Sequence, residues 1–126
     1  WRRELRQSGW PGPVLVTEDE SQLLGLRAIS PRAAVLQDGA VTGVLLPSVP
    51  IQGPSGIEVM DAMLCPRGQG GYTTRLLLER RIPGKDGLNW QQVMVFGRTW
   101  HTWSWQNVPA AQPWIKIYAE HARVLR

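Results

Sequence analysis

Phe96-Gly97-Arg98-Thr99-Trp100-His101-Thr102-Trp103-Ser104-Trp105-Gln106-Asn107 holds three of the chain's seven tryptophans. They stand at alternate or near-alternate positions, with a Gly before and an Asn-Val-Pro break after, so the stretch reads as a twisted strand or extended arm. Large aromatic rings bury more area than any other side chains and dominate the surface they line. The segments before it read as sheet that receives those rings, and the segment after it as a helix that closes over them.

On the C-terminal side, Pro113 suits a first helical turn, and Trp114, Ile117, Tyr118, His121, Val124 and Leu125 recur at three- and four-residue steps. Lys116, Glu120 and Arg123 take the other side, which predicts an amphipathic closing helix. On the N-terminal side the period is that of strands. Two apolar runs, 33–37 and 40–46, flank Asp38-Gly39, a turn pair that predicts a hairpin. Pro47, Pro50 and Pro54 then interrupt the sheet. Residues 57–65 resume it as a third strand, and residues 72–82, centred on Leu76-Leu77-Leu78, supply a fourth. Residues 88–96 are extended and lead into the tryptophan segment.

The start of the chain is a cationic tail over 1–13, broken by Pro11-Gly12-Pro13. Thr17 and Glu20 form a capping box for a helix over 18–29, which Ser30-Pro31 ends. The expectation is one α+β domain over 14–126: an N-terminal helix, a four-stranded antiparallel meander, a long aromatic connection and a C-terminal helix. A length of 126 residues supports a single core of that size. No apolar run is long enough for a membrane span, and the opening residues are not a secretion signal, which predicts a cytoplasmic protein with no membrane partner. The chain starts without Met and reads as a trimmed chain or a domain of a longer one.

The chemistry-bearing residues are few. Cys65 is the only thiol; at the end of an apolar strand it reads first as a buried structural residue and second as a nucleophile. His101 and His121 are the only imidazoles, and no local spacing joins them to Cys65 as a metal site or a catalytic pair. No cofactor motif is present: the glycines of 68–71 lack the Gly-Lys-Ser/Thr ending of a phosphate cradle. The net charge of +4 is concentrated in Arg67, Arg75, Arg80, Arg81 and Lys85, a band that meets an acidic partner, phosphates or solvent. At least two of Trp100, Trp103 and Trp105 read as core rings. Their alternative role is a stacking platform for single-stranded nucleic acid beside Arg98, which requires at least two rings exposed on the arginine face.

The run from Phe96 to Ser104, with Asn107, Pro113-Trp114 and the helix Tyr118-Ala119-Glu120-His121-Ala122-Arg123-Val124-Leu125, resembles the C-terminal part of the prokaryotic ubiquitin-conjugating-enzyme-like proteins of family E. Those proteins carry a similar Gly-Arg-Ser/Thr-Trp-x-x-Trp-Ser signature before a Trp and a closing helix. The resemblance covers the last third of the chain, and the predicted element order agrees with a ubiquitin-conjugating fold. It implies a bacterial conjugation system, with a ubiquitin-like protein and its activating enzyme as partners. Arg67, Tyr72, Arg75, Arg80 and Arg81 would form the docking surface, and Trp100, Trp103, Trp105 and Trp114 would brace the domain. A conjugating enzyme needs a thiolate after the fourth strand. Between Tyr72 and Arg126 there is no Cys, and the family's Ser-Arg-His stands here as Ser104-Trp105-Gln106. Cys65 and His101 are the weak catalytic candidates, and the resemblance implies a noncatalytic or divergent member.

Overall fold

A computed structural model describes residues 18–126, and the capping Thr17 and the 1–13 tail lie outside the described residues. The chain is α+β: α1 (Glu18–Arg27), β1 (Ala34–Asp38), β2 (Val41–Gly53), β3 (Gly56–Cys65), β4 (Arg75–Leu78), β5 (Trp90–Val95), β6 (Arg98–Trp103) and α2 (Trp114–Arg123). The six strands form one antiparallel sheet in the order β1-β2-β3-β4-β6-β5. The expected four-stranded meander is therefore incomplete. The aromatic connection is itself a hairpin, and its second strand returns to lie beside β4.

Three local features account for the differences. The β5–β6 turn is Phe96-Gly97, both at positive φ (53° and 74°), between the paired residues Val95 and Arg98. A two-residue hairpin of this hand takes Asn, Asp or Gly at the first position, and a Phe there hides the turn from a sequence reading. The prolines do not end β2. β1 pairs only as far as Leu45, so Pro47 and Pro50 sit where that side of β2 has no neighbouring strand and no ladder N–H is needed. Between Leu46 and Val49, three steps on β2 match two on β3. Ser48 takes a φ of 51° at this bulge, its N–H donating to Asp61 Oδ1 at 3.0 Å, and Ser30 Oγ donates to Pro47 O at 2.9 Å. The extra residue keeps Val44, Leu46, Val49 and Ile51 all on the buried side. The fourth strand is only Arg75–Leu78, because Glu79 to Leu88 turn away through a Pro-Gly loop.

Both faces of the sheet are covered. On the first, Leu23 and Leu26 of α1 and Trp114, Ile117 and Tyr118 of α2 pack on Val44, Leu46, Met60, Leu64, Leu76, Leu78 and Trp103. The helices are tied together by Gln22, whose side-chain oxygen accepts the Trp114 N–H at 2.9 Å, filling a cap that Pro113 cannot make. The predicted stripe on α2 is the buried one: Trp114, Ile117, Tyr118 and His121.

The second face holds a smaller cluster of Met63, Cys65, Leu77 and Trp100, bordered by Val41, Leu45, Val93, Val95 and Phe96. Among the described residues no helix lies there. The β5–β6 hairpin is joined to β4 at one register pair, Leu78↔His101, and its tip reaches across to β2. The Phe96 N–H donates to Asp38 Oδ2 at 2.7 Å, and its ring lies where a side chain on Gly43 would be. Asp38 is free for this because the β1–β2 turn is centred on Gly39-Ala40, with Asp38 paired to Val41, one residue later than the sequence suggests.

A Cβ at position 43 would stand 2.6 Å from Phe96 Cζ and 2.7 Å from Met63 Sδ. Gly43→Ala is expected to lower stability by about 1–3 kcal/mol in urea denaturation through overpacking. Combining it with Phe96→Leu should recover part of that loss, and a strictly additive double variant would contradict the contact.

Candidate functional site

The hairpin that covers the second face also delivers polar side chains to its open end. Arg75 begins β4 and faces the same side as its register partner Cys65. Its side chain is almost wholly buried, with 3% of the residue exposed. One terminal nitrogen donates to Gln69 Oε1 and the other to Gln91 Oε1, both at 2.7 Å, and the guanidinium lies 4.1 Å from the centre of the Tyr72 ring. Nε has no partner. Burial, chiefly, holds this guanidinium below its ordinary range, but an arginine keeps its proton in a protein. Among the described residues no carboxylate pairs with it.

Around it, Tyr72 Oη, Asn89 Nδ2 and Gln91 Nε2 converge on Ser104 Oγ at 3.1, 3.3 and 2.6 Å. A hydroxyl oxygen has two lone pairs, so one of these donors is always in excess. Hydrogen bonds to Ser104 and Gln91 hold the Tyr72 phenol below its usual range, with Arg75 adding to the effect.

Of the five residues expected to form the docking surface, Tyr72 and Arg75 meet. Arg67 pairs with Asp19 and lies 5.6 Å from the Trp114 ring centre, beyond the C-terminal end of β3. Arg80 pairs with Glu58 at 3.2 Å near the other end of β3, and Arg81 is exposed. Among the described residues the basic band is not continuous: Arg67 and Arg80 stand beside their own acids at opposite ends of β3, Arg81 is exposed and Arg75 is buried. Gln69, Gln91 and Ser104 were not foreseen, since their grouping depends on the fold-back of β5.

Cys65 and His101, the two catalytic candidates, lie apart on the sheet. Cys65 is fully buried, and loss of solvation pushes its thiol up to about 12. It is a thiol, not a thiolate, at neutral pH, which is the structural alternative and not the nucleophilic one. His101 is opposite Leu78, three positions along β4 from Arg75 and Cys65, or about 10 Å. Among the described residues no three His, Cys, Asp or Glu side chains are placed to hold a metal.

The rings are core. Trp100 and Trp103 are buried on opposite faces of β6, and Trp114 is buried at the start of α2. Trp105 is the exception: it lies past the end of β6 and is 37% exposed. A stacking platform with two exposed rings beside the arginines is not formed by this segment.

His121 sits on the first face, with Nε2 2.9 Å from Thr74 Oγ1. Thr74 spends its only hydroxyl proton on Val108 O at 2.9 Å, so His121 must be the donor and carries its proton on Nε2. Burial, reinforced by Arg75, lowers its pKa from 6.5 to about 4. No described helix is long and apolar enough to cross a membrane.

No protein-family model matches the chain, and no curated protein or solved structure shows significant similarity to it.

The depressed His121 value carries a sign for stability. As pH falls the unfolded chain takes up this proton first, so the stabilisation is whole above about 6.5 and is lost toward about 4. Between pH 6.5 and about 5 the folded state should lose about 1.5 kcal/mol, measured by urea denaturation at each pH. His121→Gln should flatten that slope; an unchanged slope would contradict the assignment.

Proposed function

We propose that this chain is a noncatalytic ubiquitin-conjugating-like domain that docks a protein partner, a ubiquitin-like protein or its activating enzyme, in a bacterial conjugation system. The observation that carries the noncatalytic part is the state of Cys65. A thioester carrier needs an accessible thiolate, and the only thiol of the sequence is fully buried with its pKa pushed up to about 12. Support for the architecture comes from the order helix, antiparallel sheet, helix, with both helices on one face of the sheet.

The docking surface best suited to a protein is the start of β3. β4 pairs only with residues from Ala62 to Cys65, so Ile57 and Val59 lie on a two-stranded ribbon, 64% and 56% exposed. Arg80 lies against this ribbon, reaching Glu58 and the Val59 carbonyl, with Arg81 next to it in sequence. Two exposed aliphatic side chains beside the Arg80–Glu58 pair fit an apolar patch on a protein partner.

Incubation with a ubiquitin-like protein, its activating enzyme and ATP should give no adduct cleavable by reductant, and Ellman's reagent should label Cys65 only after denaturation. Binding of the same partner, measured by calorimetry, should weaken at least about tenfold in Val59→Asp. A reducible adduct lost in Cys65→Ser would overturn the noncatalytic reading, and no binding to either protein would overturn the docking reading.

A further inference from the structure

We propose that the Arg75 guanidinium, under the Gln69–Tyr72 turn and flanked by Gln91, is a binding site for the carboxylate of a ligand. This assignment is independent of the protein-docking reading, because it rests on chemistry at the opposite end of β3 from Ile57 and Val59.

A buried cation is ordinarily compensated by a charged partner. Arg75 is 3% exposed and is met only by two neutral amide oxygens, a ring face and, at Nε, nothing. Hydrogen bonds from a guanidinium to a carboxylate are stronger than those to an amide, so Gln69 and Gln91 are stand-ins that an anion outcompetes. The cover over the group is slight. A Cβ on Gly70 would lie 3.0 Å from an Arg75 terminal nitrogen, so the turn backbone rests directly on the guanidinium. Gly68, Gly70 and Gly71 all take positive φ, and the turn is closed by two bonds between Gln69 and Tyr72 at 3.1 Å. Gln69 is partly exposed. A rotation of its side chain alone frees one terminal nitrogen of its amide acceptor without unfolding the turn.

The site selects charge as well as shape. Among the described residues Arg75 is the one cation there, since Arg67, Arg80 and Arg81 lie elsewhere, and this matches a monoanion better than a phosphate dianion. The planar fork suits the two oxygens of a carboxylate. The donor in excess at Ser104, from Tyr72, Asn89 or Gln91, is available to the ligand's remaining lone pairs.

Acetate is the probe. Thermal unfolding of the protein at about 0.2 M sodium acetate, against sodium chloride of equal ionic strength, should give a melting temperature higher by about 5 °C. Arg75→Met removes a charge that has no partner, so it should fold at least as well as the parent and lose the acetate response. Gln69→Ala keeps the guanidinium and removes the competing amide, so the half-maximal acetate concentration should fall several-fold. An equal acetate response in Arg75→Met, a wild type that responds to phosphate and not to acetate, or a Gln69→Ala variant with a weaker response would each overturn the proposal.

Discussion

The Phe96 ring seated on Gly43 is the contact that makes one compact body of six strands. β2 and β6 are separated in the sheet by β3 and β4, so residues near their ends meet only if the β5–β6 hairpin crosses the second face. Three features permit it. Glycine at 43 leaves room for the ring, Phe96 accepts a positive φ, and the Asp38 carboxylate takes the Phe96 N–H. A non-glycine residue in that conformation costs about 1–2 kcal/mol, which the half-buried ring and a charged acceptor offset.

Closing the second face decides the chemistry. Val93, Val95 and Trp100 cover Met63, Cys65 and Leu77, which removes the single thiol from solvent and raises its pKa. The same strand carries Gln91 to Arg75, and the chain just past β6 brings Ser104 to Tyr72. One fold-back therefore buries the thiol and assembles a polar cluster around a cation. The helices serve the other face, where Trp103 meets Trp90 edge-on with ring centres 5.5 Å apart and His121 is held neutral.

Much of this was legible from local pattern. The α2 stripe, the Asp-Gly hairpin and the α+β class follow from periodicity and turn chemistry, because each depends on residues close in sequence. Phe96-Gly97 was not legible, since its turn is stabilised by residues 38 and 43, far away in the chain. Pro47 and Pro50 misled for the same kind of reason: a proline ends a central strand, but β2 is an edge beyond Leu45. Arg75 read as a surface charge. The run Arg75-Leu76-Leu77-Leu78 held a clue, because Leu77 alternates with Leu76 and Leu78, and a strand with apolar residues on both faces buries whatever shares a face with Leu77. That residue is Arg75.

The most direct measurement is a nuclear Overhauser spectrum of the protein with the Phe96 ring as its origin. The fold-back requires cross-peaks from the ring to the Gly43 α protons and the Met63 methyl, with the Gly43 protons shifted by the ring current. A Phe96 ring with random-coil shifts and cross-peaks only to its sequence neighbours would contradict the closed second face, and with it the burial of Cys65 and the grouping around Arg75.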